Sequence, residues 1–356
     1  MGINWNKIAA MIWSLGIAIL AVAAGPREIY RGKNLWFDNG RLIEQSASRV
    51  RIIDPRSRKI LFDVDLGVES SARNQIRVFG DQVIYTTHEN GQLLVTGSSL
   101  RIRKKLWQFD SSPNLDPEPA AMAGGYLLAT SRNEVFKVTT EGKRVAVRAV
   151  PMPHSLTTTP RHAYFCSEHE LYRLDLETLA KGWRSYCDPT TFYLSRHGPI
   201  IHGNLHWSLR GIGDDGQIVW TSREPRPGFR DYISADLRFA HPERIAAVGA
   251  RWRTGDPSGT MLSEYVYLYS SRGRLLWKKP MAAHSAVVFG NHVAVLRNHL
   301  NGTENGPNCS LQIRSLKDGR LLWESKPQRL HSLEAGGQYL LVHRNDGDIV
   351  YSFGPK

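Results

Sequence analysis

Gly319-Arg320-Leu321-Leu322-Trp323 carries a short apolar run from a turn glycine to a tryptophan, and the same phrase recurs along the chain. Close copies are Gly273-Arg274-Leu275-Leu276-Trp277 and Gly216-Gln217-Ile218-Val219-Trp220. Lys104-Lys105-Leu106-Trp107 and Arg58-Lys59-Ile60-Leu61-Phe62 keep the run and the aromatic, with weaker copies at Gly142 to Val147 and at Trp183. Seven strands thus end in a bulky aromatic or its substitute, at intervals of about 37 to 57 residues. A self-similar unit of this length, rich in short alternating strands, predicts an all-β fold of the β-propeller type.

Each unit reads as four short strands around turns. In the seventh, His284 to Phe289 leads through Gly290-Asn291 to His292 to Leu296; after an insert come Ser310 to Ser315 and Leu321 to Glu324. The last unit has only three strands, Leu330 to Glu334, Tyr339 to Val342 and Ile349 to Phe353. Glu28-Ile29-Tyr30-Arg31 is in phase with the repeat and supplies the missing outer strand, leaving no long open sheet edge at the join. Counted this way the propeller has eight four-stranded blades closed by an N-terminal strand. A seven-bladed ring with a loose terminal hairpin is the alternative.

The final strand and its turn resemble the PQQ-like (quinoprotein-type) propeller repeat, roughly Ala-x-Asp-x-x-Thr-Gly-x-x-x-Trp. Asp175-Leu176-Glu177-Thr178-Leu179-Ala180-Lys181-Gly182-Trp183 matches it except at the glycine, and Asp54 to Phe62 is a degenerate copy. The resemblance spans residues of about 28 to 354 and is similar in kind to scaffold propellers of the BamB type, and less closely to the WD-repeat propellers of fungal F-box proteins. It implies fold only. Quinoprotein dehydrogenases carry a calcium site and a catalytic Asp in inserted loops; neither can be placed here, so the quinone is not an expected cofactor.

With 356 residues and 41% hydrophobic content the chain can bury one sizeable core. Residues 26–356 read as a single propeller domain. Ser111 to Pro119 reads as a long loop, because its prolines disfavour both helix and ladder; Thr254 to Ser263 and Leu300 to Asn308 read as inserts within blades. Residues 1–25 read as a signal peptide or a membrane-anchor helix, since Ile8 to Ala24 is a run of 17 residues without a charge. Ala21-Val22-Ala23 suits cleavage, whereas Trp5 and Trp13 suit an interface. The expected location is membrane-associated or exported; Arg27, Arg31, Lys33 and Arg41, which follow the run, point instead to a cytoplasmic face.

Cys166, Cys187 and Cys309 lack metal-ligand spacing and read as buried thiols. Asn301-Gly302-Thr303 and Asn308-Cys309-Ser310 fit the glycosylation acceptor pattern. The formal charge of +13 reads as a solvated basic face that keeps the protein soluble, or else as a surface for an acidic protein partner or anionic lipid headgroups. It concentrates at Arg101, Arg103, Lys104 and Lys105, and again at Arg223, Arg226, Arg230, Arg238, Arg251 and Arg253. Neither cluster interleaves aromatics as nucleic-acid modules do, so no nucleic-acid partner is expected.

Aligning the repeats puts His154, His197, His284 and His331 in one phase of the first strand, with Asn74, Glu118 and Asp236 at matching positions. First strands line a propeller's channel, so these side chains are a candidate ring for a metal or an anionic ligand. The competing role for a recurrent polar residue there is bonding the backbone of the next blade. Gly211-Ile212-Gly213-Asp214-Asp215-Gly216 matches a dinucleotide fingerprint in letters, but a strand follows it rather than a helix, so it reads as a hairpin. Asn345-Asp346-Gly347-Asp348 lacks the remaining ligands of a calcium loop. The expected function is therefore a non-enzymatic protein-interaction scaffold. The alternatives are a ligand-binding propeller using the histidine ring, and a cytoplasmic adaptor of the F-box-associated type.

Overall fold

The apolar alternation of the repeats builds only strands and turns. The computed structural model describes residues 26–67, 76–89, 92–110, 118–122, 124–130, 134–150, 154–167, 170–186, 189–195, 197–203, 208–222, 229–235, 241–253, 261–299 and 308–353, with no helix among them. The helix expected in residues 1–25 lies outside the described residues.

Strand β1 (Arg27–Gly32) precedes a first four-stranded unit of β2 (Leu35–Asp38), β3 (Arg41–Ser46), β4 (Arg49–Ile53) and β5 (Ile60–Asp65). The second unit comprises β6 (Ile76–Phe79), β7 (Gln82–Glu89), β8 (Gln92–Ser99) and β9 (Lys104–Asp110). β10 (Glu118–Met122), β11 (Gly125–Thr130), β12 (Glu134–Thr139) and β13 (Arg144–Ala149) form the third. The fourth is β14 (His154–Thr158), β15 (His162–Ser167), β16 (Glu170–Asp175) and β17 (Lys181–Tyr186). In the fifth stand β18 (Pro189–Ser195), β19 (Gly198–Gly203), β20 (Ser208–Ile212) and β21 (Ile218–Thr221). β22 (Phe229–Ser234), β23 (Arg244–Arg253), β24 (Met261–Ser270) and β25 (Leu275–Pro280) make the sixth.

The last sheet has eight strands in two halves. One half, the seventh unit, holds β26 (Ala283–Phe289), β27 (His292–Asn298), β28 (Asn308–Ser315) and β29 (Leu321–Glu324). The other, the eighth unit, holds β30 (Gln328–Gly336), β31 (Tyr339–Arg344) and β32 (Asp348–Ser352), with β1 antiparallel to β32 from Arg27↔Ser352 to Gly32↔Asp348. Short pairing of β28 with β30 joins the halves. Ser111 to Pro119 is not loop throughout: Glu118 and Pro119 begin β10, where Pro119 takes an edge position opposite Leu128.

Consecutive antiparallel strands put the turns after each unit's first and third strands at one end, the turn end. The second turn and the link to the next unit lie at the other, the link end. Apolar clusters fill the seams between successive units. Ile43 and Ile52 meet Ile76 and Val83 across the first seam, and Leu341 and Val350 of the eighth unit meet Leu35, Leu42 and Ile53 of the first.

The repeated turn before each outer strand sets how units dock. Gly142, Gly216, Gly273 and Gly319 have φ of 84°, 84°, 78° and 69°, and Arg58, Arg103 and Leu179 occupy the same place at 60°, 53° and 55°. Four residues later comes the side chain that packs onto the next unit: Phe62, Trp107, Ala146, Trp183, Trp220, Trp277 or Trp323. In the third unit this is Ala146, not Val147 as the weak repeat suggests; Val147 lies one residue past the inward position and is 55% exposed.

Trp107, Trp183, Trp220 and Trp277 lie over the turn of the following unit, at Gly142, Gly216, Gly273 and Gly319. A Cβ on Gly216 would stand 2.8 Å from Trp183, and one on Gly273 would run into Trp220. Trp183 and Trp277 also donate their Nε1–H groups to the carbonyls of Asp214 and Leu316, at 2.7 and 3.1 Å. Where the indole is missing the partner grows: Ala146 of the third unit faces the fourth, whose turn residue is the buried Leu179. The seam keeps its volume with the bulk moved across it.

Two measurements check this docking. Gly273→Ala combines a left-handed φ with a collision and is expected to cost about 1–3 kcal/mol, read from the urea midpoint. Ala146→Trp is expected to cost a similar amount through overpacking, about 1–3 kcal/mol, with much of it recovered by adding Leu179→Gly. Equal loss in the single and double variants would contradict the volume exchange.

Candidate functional site

The densest buried polar group sits where the eighth unit meets the first. Glu334 on β30 and Asp348 at the start of β32 are 2% and 6% exposed, and His343 on β31 lies between them. Its Nε2 is 3.0 Å from Glu334 Oε1 and its Nδ1 3.0 Å from Asp348 Oδ1. The other oxygens reach the first unit: Asp348 Oδ2 accepts the Leu35 N–H at 2.8 Å, and Glu334 Oε2 the Phe37 N–H at 3.3 Å. Leu35 and Phe37 are alternate residues of the first unit's inner strand, and their buried N–H groups need acceptors.

With a carboxylate at each ring nitrogen, His343 donates twice as an imidazolium. Burial opposes that charge, but the hydrogen bonds and charges of Asp348 and Glu334 outweigh it and raise the pKa from 6.5 to about 9. Burial likewise opposes the charged Asp348, yet the bonds from His343 and the Leu35 N–H hold its carboxyl below the usual range. Both ring nitrogens are engaged, which leaves no lone pair for a metal. Among the described residues no group of three or more His, Cys, Asp or Glu is arranged to hold an ion.

A cleft of about 610 Å³ opens beside this group at the link end. Lys33, Asn34, Gln45, Arg344 and Asn345 line it together with His343 and Asp348. Arg344 donates from Nη2 to Asp346 at 2.8 Å, while its Nε is buried without a hydrogen-bond partner. The wall therefore offers amide and cationic donors to a polar group of a ligand or partner.

The candidate histidine ring is not assembled as the repeat alignment suggests. His197 falls in the β18–β19 turn, where Ser195 Oγ accepts its N–H at 3.0 Å and Arg272 Nε donates to its ring at 3.1 Å. The strand ends early because Gly198, at φ 109°, turns the chain directly into β19. His284 and His331 do lie on the inner strands β26 and β30, both exposed, and His331 bonds Asn345. His154 and Glu118 open the inner strands β14 and β10. Asn74 and Asp236 are outside the described residues.

Of the basic clusters, Arg101, Arg103, Lys104 and Lys105 stand exposed at the turn into β9. Arg230 on β22 pairs in register with Trp252, and Arg251 and Arg253 on β23 with Asp231 and Phe229. Arg223, Arg226 and Arg238 are outside the described residues. Gly213 to Gly216 forms the turn between β20 and β21, with the Gly213 N–H on the Gln217 carbonyl at 2.8 Å. Cys166 and Cys309 are free and buried; Cys187 is outside the described residues. The group at His343 went unseen in the sequence; its one signal is the charged Glu334 inside the run from Leu330 to Ala335.

No protein-family model matches the chain, and no curated protein matches it in sequence. Solved structures do match. The WD40 domain of SCAP from fission yeast is 10% identical, with 93% of this chain and 98% of that one covered at a TM-score of 0.56. The dihydro-heme d1 dehydrogenase NirN, in complex with DHE, is 12% identical over 90% of this chain and 73% of that one, at 0.55. BamB from Moraxella catarrhalis is 15% identical over 91% and 85%, with a TM-score of 0.42. The first two show the fold and nothing more: the chain is an all-β propeller.

The buried group makes stability depend on pH in two directions. His343 has a raised pKa, so its contribution is complete below about pH 6.5 and is lost as pH rises through about 9. Asp348 has a lowered pKa, so its contribution is complete above about pH 3.8 and is lost as pH falls through the depressed value. Urea midpoints are expected to decline between pH 7 and 10 by on the order of a few kcal/mol of stability. His343→Gln is expected to flatten that decline and lower the plateau.

Proposed function

We propose that the chain is an eight-bladed propeller closed by β1, acting as a non-enzymatic scaffold for protein partners and held at a membrane, or exported, through residues 8–24. The pairing of β1 with β32, the Leu35 and Phe37 bonds and the cluster between Leu341 and Leu42 support the closed count of eight.

The observation that carries the scaffold reading is where exposed apolar side chains fall. Among the described residues, all eight large hydrophobic side chains that are exposed lie on a unit's outer strand or in the turn entering it. Val145 and Val147 on β13 are 54% and 55% exposed, and Ile218 and Val219 on β21 are 47% and 61%. β13 and β21 pair on one side only, so apolar side chains and unpaired backbone groups coincide there. Such edges are templates for partner strands, and exposed apolar patches mark contact surfaces. Arg144 and Arg148 on β13 and the formal charge of +13 favour an acidic partner.

A photo-activated cross-linker at the exposed position 149 of the full chain is expected to trap a discrete protein partner in cells. Val145→Glu with Val147→Glu is expected to lower binding of that partner at least tenfold, with the urea midpoint unchanged. Adducts that persist in the double variant, or none at this edge, would refute an interaction surface on β13.

A further inference from the structure

We infer that the turn end of the first and second units is the face that lies against an anionic bilayer. The inference rests on the proposed role of residues 8–24 as an uncleaved anchor and adds the orientation of the propeller beneath it.

Topology places the anchor's exit on that face. Ser352 pairs with both Tyr339, beside the β30–β31 turn, and Arg27, so β1 begins at the turn end of the eighth unit. Ala24 is three residues before Arg27, so the apolar run ends within about 11 Å of it. Ile29 of β1 packs against the apolar cluster of this seam, whose members include Ile53, the residue before the first unit's β4–β5 turn. The chain thus leaves the propeller beside that turn.

The turns next to this exit are cationic and apolar at once. Arg56, Arg58 and Lys59 are exposed ahead of Ile60, itself 42% exposed. In the second unit Arg101, Arg103, Lys104 and Lys105 surround Ile102 and Leu106, which are 52% and 42% exposed. Arg103 Nη2 donates to the Ile60 carbonyl at 2.9 Å and makes the two turns one surface. Nearby acids are few and engaged: Asp54 accepts from the Arg56 N–H and the Ser57 hydroxyl at 3.0 and 2.9 Å, and Asp81 from the Ser99 hydroxyl at 3.0 Å.

Elsewhere the corresponding turn carries an acid, Glu141, Glu177, Asp214 with Asp215, or Asp318, save in the sixth unit, whose Arg272 and Arg274 stand beside no exposed large apolar side chain. Arg58 and Arg103 hold left-handed φ of 60° and 53° where four other units have glycine, so a cation stands in both turns despite backbone strain. Basic side chains interspersed with aliphatic ones on projecting turns, beside a tethering segment, match headgroup charge and the shallow apolar layer beneath it.

The test uses the full chain in vesicles of phosphatidylcholine, with and without phosphatidylglycerol. Ile102→Cys at the turn end and Asn345→Cys at the link end each carry a fluorophore, and a spin label on the lipid headgroups quenches it. Several-fold stronger quenching at position 102 than at 345 in the anionic vesicles, lost in Lys104→Glu with Lys105→Glu, is the expected result. Equal quenching at both positions, or none at 102, overturns the inference. Failure to float with phosphatidylcholine alone would reject the anchor separately. Salt-sensitive flotation with anionic vesicles would then still support the face, and its absence would overturn it. Protection of position 102 by polyglutamate but not by anionic vesicles would assign the face to an acidic protein and overturn the bilayer.

Discussion

An aromatic ring over a left-handed turn is the contact on which the rest of this propeller depends. Each unit is too thin to bury both faces, and its outermost strand contributes one large side chain that finishes the core of the next unit. Trp220 over Gly273 and Trp277 over Gly319 show why the turn and the aromatic recur as a pair. The turn must approach an indole, and a Cβ in the way would hold the seam open. The seam between the third and fourth units shows that filled volume matters rather than the indole itself, because Leu179 supplies the bulk that Ala146 lacks. The constraint is local and repeats along the chain, so each unit fixes the placement of its successor.

The last seam uses different chemistry. Apolar packing between Val350 and Leu42 is present, but two carboxylates and an imidazolium also hold the inner strand of the first unit by its backbone. A buried charged group is strongly stabilising only when every member is bonded, and here each oxygen and ring nitrogen named has a partner. The adjoining cleft takes His343 and Asp348 of its lining from the same group, so one wall of it follows from that group. Its position at the link end leaves the opposite end to the basic turns of the first and second units.

The all-β class and the four-stranded rhythm were legible because the aromatic and its turn lie four residues apart in one strand, within reach of pattern reading. Ile60 to Phe62 and Leu321 to Trp323 announce themselves. The Ala146 register was not legible, since the inward position holds a small residue and the more apolar Val147 stands next to it. Nor was the group at His343, whose members come from three strands and whose acceptor duty is toward residues 35 and 37. The repeat alignment placed His197 on a strand because it counted residues, whereas Gly198 had already turned the chain.

The bonds from Leu35 to Asp348 and from Phe37 to Glu334 span 313 and 297 positions of sequence. A ribosome releases the first partners long before it makes the last, so β1 emerges with no strand to pair against, and β2, though it pairs with β3, keeps the Leu35 and Phe37 N–H groups without their acceptors, until synthesis is nearly over. The first seven units can dock one upon another as they appear, while β1 waits as a loose leader. Final assembly is therefore an end-to-end loop closure, entropically slow and all at once. A chain cut short by even the last strand would keep its repeats and lose the acceptor of Leu35.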